Sequence, residues 1–237
     1  MAENFHVIAA AEEPASDTIA TIREGIGERC FVLRGMFDPG RLARLKSELH
    51  ALSRRRDALD APLVRGCANH HRLVDSPYES DAPAFRREFV NLHWNEGSGD
   101  VNRFGRVLAG LRHAIIGLDP ATSIEAGDGR VSLFRIDHYP SGGGFCGPRV
   151  GDVNGVELSL LMSQYGEDYR SGGLFYIDRG NRHHFVDGQT RFGDLVVLPA
   201  GAVWGVYPID VERPVDLLVA GGRWSLSTPF APLEGAS

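Results

Sequence analysis

Apolar positions along the chain change their period near Pro120. Before that point they recur at helical spacing or stand in isolated runs; after it they gather in short runs separated by glycine turns. Residues 17–37 read as a short helix followed by CFVLRGMF (Cys30 to Phe37), an apolar stretch of strand character. A second helix starts where Asp38 suits the N-cap and Pro39 the first helical position. Leu42, Leu45, Leu49 and Leu52 then repeat at a spacing that puts them on one face, toward a core. Arg54, Arg55 and Arg56 end this helix, where cations complement the carbonyl end of its dipole, and they read as a solvated terminus. From Asp60 to Gly99 periodicity is weak. That stretch holds Cys67, His70, His71 and the segment FVNLHWNEG, and long connections of this kind serve as lids or binding loops. Helical spacing returns from Val101 to about Gly117, with Phe104, Val107, Leu108, Leu111 and Ile115 on the side expected to back a sheet.

The second half reads VSLFRIDHY, ELSLLMSQY, GLFYID, HHFV, DLVVLP, VWGVYPI and VDLLVAGG, with SGGG, NG, SGG, RGN, DG and AG between the runs. Runs of this length with these spacers indicate an all-β sandwich or barrel. No repeat of 20 to 50 residues and no low-complexity tract interrupts the chain. With 237 residues and 43% hydrophobic content, it is long and apolar enough to bury a full core as one domain.

Charge and cysteine content narrow the partners. A net charge of −6 leaves no basic field to hold nucleic acid or an anionic membrane, so a small-molecule partner is expected by elimination. No apolar run approaches the length of a membrane span. The opening MAENFHVIAAAEEPAS lacks the basic start of a secretory signal, which makes a cytoplasmic location the expectation. Cys30, Cys67 and Cys146 are too few and too scattered for a disulfide framework or a thiolate cluster, and are expected to be reduced.

Four stretches, taken in order, resemble the iron(II)/2-oxoglutarate oxygenases. RIDHYPSGGGF resembles the strand and turn that lead to the first metal ligands, and ELSLLMSQYGEDYRSGGLFYID the following strand pair with its double glycine. FGDLVVLPAGAVWGVYPID resembles the turn and strand bearing the distal histidine, and GGRWSLSTPF the strand bearing the 2-oxoglutarate arginine. The resemblance covers residues 131–230 well and the first 120 residues loosely. It implies an α+β, mainly β fold: a double-stranded β-helix core of jelly-roll, cupin-like type. Residues 17–120 would then be helical support and lid segments of the same domain.

The same resemblance implies a facial triad of two histidines and a carboxylate, and the sequence departs from it. In GFCGPRVGD, Arg149 stands at the first histidine position and Gly151 at the carboxylate position, with Asp152 one residue beyond; in WGVYP, Trp204 stands where the distal histidine should be. A guanidinium stays protonated and an indole offers only an N–H, so neither binds iron. No metal is therefore expected at the inherited site. Arg223, with Ser225 two residues on, fits the family position that grips the far carboxylate of 2-oxoglutarate. Arg149 and Arg223 would together make a carboxylate-binding pocket, open to 2-oxoglutarate or to another carboxylate in its place.

Other residues also offer chemistry. His138, Asp152, His183 and His184 offer a relocated triad, although adjacent strand residues face opposite ways and only one of His183 and His184 can look inward. Cys146 could be a thiol activated by Arg149, provided Gly147 and Pro148 bend the strand. Trp204 either fills the volume of a metal or offers a flat face for a planar substrate. Three functions stay open. The first is a small-molecule tailoring enzyme, in a biosynthetic setting by family analogy, that acts without iron on an anionic substrate; Arg149, Asp152, Tyr139 and His184 would be its catalytic groups and Arg223, Ser225, Trp204 and Arg149 its binding groups. The second is an oxygenase using Fe(II) through relocated ligands. The third is a non-catalytic binding or regulatory protein.

Overall fold

Amphipathic stripes in the first half of the chain form three helices packed on one face of a curled sheet. The computed structural model describes residues 5–54, 62–76, 83–95, 99–125, 129–151 and 155–234. Its elements in chain order are β1 (Phe5–Ala9), α1 (Ser16–Gly25), β2 (Cys30–Arg34), α2 (Pro39–Ser53), β3 (His70–Ser76), β4 (Ala84–Asn91) and α3 (Gly99–Ile116). There follow β5 (Arg130–Ser132), β6 (Phe134–Pro140), β7 (Phe145–Val150), β8 (Leu158–Leu161), β9 (Gly173–Ile177) and β10 (His183–Phe185). The last four strands are β11 (Leu195–Val197), β12 (Val203–Tyr207), β13 (Gly222–Ser227) and β14 (Phe230–Pro232). As its sequence requires, α2 is capped by Asp38, whose carboxylate accepts from the Arg41 N–H at 2.7 Å. Of the Arg54–Arg56 run, only Arg54, at the C-cap, is among the described residues.

Strands β6 to β13 divide between two walls. One wall holds β11, β8, β13 and β6 side by side, the other β7, β12, β9 and β10. This is the double-stranded β-helix expected from the glycine-punctuated runs. Its strands have two different faces, as period-2 geometry dictates. Ile136, Leu160, Leu195, Trp224 and Leu226 leave the first wall outward to meet Leu42, Leu45 and Leu49 of α2 and Phe104 and Leu108 of α3. Inside the barrel, Tyr139, Leu161 and Val196 meet Leu174, Tyr176 and Val206 from the opposite wall.

Residues 60–99 depart from the expected lid or binding loop, because they hold two strands. β3 and β4 pair along their length from His70↔Val90 to Ser76↔Ala84. β4 then pairs with β6 through Arg87 to Asn91 and with β7 through Ala84 and Phe85, so it joins the two walls of the barrel. Its sequence, AFRREFVN, hid this role. The residues it sends into the barrel include Arg86 and Glu88, both buried, and a strand with charges on its inner face does not show the apolar alternation by which strands are read.

Candidate functional site in the barrel

Inward-facing residues of the first wall form polar rows. β13 and β6 pair antiparallel with Arg223 opposite Tyr139, Ser225 opposite Asp137 and Ser227 opposite Arg135, and directly opposed residues share a face. Across the barrel, strand register sets Arg149 of β7 beside Trp204 of β12, Trp204 beside Tyr176 of β9, and Tyr176 beside His184 of β10. Among the described residues, the space between the walls holds a cavity of about 20 Å³, lined by Trp204, Leu174 and Val206 of the second wall and by Arg135, Asp137, Tyr139, Glu157, Leu198, Arg223 and Ser225. That is room for about one water molecule. A wider hollow of about 490 Å³ lies outside, along the β9–β10 hairpin, and its lining includes Glu28, Asp178, Arg179 and Arg182 but none of the binding residues read from the sequence.

Arg223 faces inward, as expected, but it already holds a carboxylate. Its Nε donates to Asp187 Oδ2 at 2.8 Å, its Nη2 to Asp187 Oδ1 at 3.4 Å, and its Nη1 to Ser225 Oγ at 2.9 Å. Asp187 Oδ2 also accepts from the Tyr169 hydroxyl at 2.6 Å and from the Leu174 N–H at 2.8 Å. Burial works against the charge on Arg223, yet Asp187 outweighs it and holds the guanidinium above its ordinary pKa. Burial, reinforced by Asp187, raises the Tyr169 phenol. Tyr139 lies under Arg223 with the guanidinium 5.9 Å from its ring centre, and burial followed by Asp137 raises its pKa, so it remains a neutral phenol.

Arg149 and Cys146 share the inner face although they are three residues apart. The register between β7 and β12 slips between Trp204 and Val206, where Arg149 and Cys146 are the respective partners, and this bulge supplies the bend that the sequence required at Gly147 and Pro148. The Arg149 Nη2 donates to the Cys146 thiol, and the guanidinium sits 5.1 Å from the Trp204 ring centre. A Cβ built on Gly151 would stand 3.6 Å from the Trp204 ring, so the three positions assigned to a metal triad do adjoin one another. Asp152 lies outside the described residues.

The histidines divide as strand geometry demands. His184 stacks on Tyr176 with ring centres 4.7 Å apart, and its Nε2 lies 2.8 Å from Asp178 Oδ2. The Asp178 carboxyl is held below its usual range by the Arg182 N–H first and by His184 next. His183 turns to the outer face, against Phe175 and the Tyr207 hydroxyl. His138, considered for a relocated triad, also faces outward: it stacks on Trp224 at 4.1 Å and meets the Gly221 carbonyl at 2.9 Å. Burial lowers its pKa to about 3, with Arg87, His50 and Lys46 contributing positive charge and the Gly221 carbonyl opposing. The folded state thus refuses a proton that the unfolded chain accepts near pH 6.5. His138 contributes stability that is fully present above that pH and is lost on acidification from there toward pH 3, by about 1.4 kcal/mol per pH unit. Urea midpoints of wild type and His138→Phe, measured from pH 7 to pH 5, should converge as the pH falls; a constant gap would show that His138 titrates normally.

Among the described residues, three buried polar atoms on the second wall lack a hydrogen-bond partner: Arg149 Nε, Trp204 Nε1 and the Tyr176 hydroxyl. They occupy adjacent places in one cross-strand row. The guanidinium and indole groups only donate, and burial first, then the Cys30 thiol and Asp178, keep the Tyr176 phenol protonated. Such a row suits an acceptor-rich ligand. It does not suit a ferrous ion, since the inherited positions offer a guanidinium, a glycine and an indole. Among the described residues no group of three His, Cys, Asp or Glu side chains is placed to hold a metal.

The order of strands in the two walls can be compared with solved structures. A prolyl-4-hydroxylase from Pseudomonas putida superposes with a TM-score of 0.53 at 17% identity, over 92% of this chain and 99% of that one. The chain has the fold of the iron(II)/2-oxoglutarate oxygenases. AviO1 from Streptomyces viridochromogenes matches with a TM-score of 0.55 at 18% identity, over 95% of this chain and 98% of that one. The non-heme alpha-ketoglutarate-dependent epimerase SnoN from nogalamycin biosynthesis matches with a TM-score of 0.56 at 10% identity, over 92% of this chain and 80% of its own. No protein-family model and no curated protein matches the sequence. Within this oxygenase fold, Asp187, Tyr169 and Tyr176 are the site residues that sequence reading missed. The signal available for Asp187 was weak: a lone acid in a VDG turn, where Asp is ordinarily explained by turn chemistry.

Proposed function

We propose that the chain is a small-molecule enzyme built on the oxygenase scaffold, acting without iron on an anionic substrate bound against the second wall. The observation that carries this reading is the row of unpartnered donors, Arg149 Nε, Trp204 Nε1 and Tyr176 Oη. A buried donor without an acceptor costs about 1–3 kcal/mol, a cost that a bound carboxylate would remove. Arg149 would hold the anion, its guanidinium meeting the Cys146 thiol and the Trp204 ring. Trp204 would orient a planar group by its indole face and N–H. His184, fixed by Asp178 and stacked on Tyr176 at the end of the same row, would move the proton. Asp152 and Tyr139 complete the proposed catalytic set, Tyr139 as a neutral donor.

Buried charge at Arg86 and Asp137 supports a working interior, since apolar side chains of similar volume would fill it at no electrostatic cost. The tight cavity favours a second reading, a non-catalytic binding protein whose barrel is filled by its own side chains. One pair of measurements separates the readings from each other and from a conventional oxygenase. In chelator, small carboxylates should raise the Tm of wild type, and Arg149→Met should abolish that shift. Anaerobic Fe(II) titration should give no stoichiometric binding. Stoichiometric iron with succinate release would overturn the proposal in favour of relocated ligands, and indifference to every carboxylate would favour the filled barrel.

A further inference from the structure

We infer that Asp187 is a built-in replacement for the cosubstrate carboxylate on Arg223, so that this arginine is structural and the chain takes no 2-oxo acid there. The inference does not rest on the substrate reading, which concerns the opposite wall. Sequence position makes Arg223 the residue that would grip the far carboxylate of 2-oxoglutarate, with Ser225 beside it. In the folded chain both side-chain contacts of that grip are present, but the carboxylate comes from residue 187: two guanidinium nitrogens meet its two oxygens at 2.8 and 3.4 Å, while Ser225 Oγ takes the third nitrogen at 2.9 Å. Arg223 and Asp187 side chains are each only 1% exposed. One positive and one negative charge cancel. A second carboxylate on the same guanidinium would therefore bring an uncompensated charge into a buried interior, and the adjoining cavity of about 20 Å³ has no room for a five-carbon diacid.

The surroundings are shaped for the internal carboxylate. Tyr169 and the Leu174 N–H donate to the same oxygen, so Asp187 Oδ2 receives three donors including Arg223. Gly173 leaves the space for it, since a Cβ there would stand 2.5 Å from that oxygen. The SGG turn, which resembles the family's double glycine, thus admits a carboxylate from the same chain.

Thermal melts of the full-length protein test this. Wild type should show no Tm shift with millimolar 2-oxoglutarate beyond that of ionic-strength-matched chloride, except for any part that Arg149→Met removes. Asp187→Ala strips Arg223 of its partner and opens a space the size of a carboxylate. Its Tm should fall by roughly 10 °C, and formate or acetate, but not chloride, should restore about half of the loss saturably. The double variant Asp187→Ala/Arg223→Met should show no rescue. A 2-oxoglutarate shift in wild type that Arg223→Met abolishes would overturn the inference, as would a folded Asp187→Ala indifferent to formate and acetate. Should Asp187→Ala fail to fold, the wild-type comparison decides alone. An Arg149→Met background should leave the rescue intact, so failure of the substrate reading and failure of this one can be told apart.

Discussion

Replacing Arg86 by methionine should cost about 3–5 kcal/mol, a large fraction of the stability of a domain of this size. Arg86 reaches from β4 to Asp137 of β6 at 2.8 Å and to Glu88 of its own strand at 2.9 Å, with 9% of its side chain exposed against 6% and 4% for the two acids. Arg135 meets Asp137 at 3.2 Å, and Arg72 meets Glu88 at 2.9 Å. Burial opposes the charges of Arg86, Glu88 and Arg135. The two acids nevertheless hold Arg86 protonated, and burial of Glu88 is overcome by Arg135, Arg86 and Arg72, which keep its carboxyl below the ordinary range. Methionine fills most of the volume but leaves Asp137 with Arg135 alone among these partners. The urea midpoint should drop with little change in m, and adding Asp137→Leu should recover part of the loss, because the stranded charge is removed with its partner. A cost below about 1 kcal/mol for the single variant would mean that water reaches this network and screens it.

Gly173→Ala should be nearly as damaging, at about 3 kcal/mol or more, for two reasons that a paired control separates. Gly173 has φ +123°, where a side chain is strained, and its added methyl would meet Asp187 Oδ2 at 2.5 Å and the Phe185 ring at 3.0 Å. Asp187 cannot step aside without leaving Arg223. Gly166, at φ +90° with nothing within 4 Å of a built Cβ, carries strain without a clash, and Gly166→Ala should cost only about 1 kcal/mol. Thermal melts of the two variants should differ accordingly. Equal losses would show that backbone strain alone accounts for Gly173.

Legibility in the sequence followed the physics of each element. The Asp38 cap and the Leu42, Leu45 and Leu49 stripe could be read because capping and amphipathic packing are local and periodic, and both stand in the fold. Glycine spacing announced the barrel, and the structural similarities agree on that fold. β4 could not be read, since its inward positions carry Arg86 and Glu88, whose mates Asp137, Arg135 and Arg72 lie on other strands. Arg223 and Ser225 could be singled out by position along the chain, but Asp187 could not, because a charge partner 36 residues away leaves no local mark. For the same reason the contact between Arg149 and Cys146 needed the bulge to become visible: strand periodicity alone sets them on opposite faces.

β4 has a consequence for how the chain assembles. This strand lies before α3, yet its partners β6 and β7 come later, with Ala84 paired to Cys146 about 60 residues on. Two strands that leave a ribosome after α3 must therefore close around one that emerged before it, and the seam between the walls stays unsealed until that long loop is shut, a slow step by its entropy. A fragment beginning at residue 129 would carry every other strand of both walls and still present two raw edges where β4 belongs. Such edges recruit other chains. The barrel is in this sense a keyed arch, and its keystone is laid before the stones on either side of it.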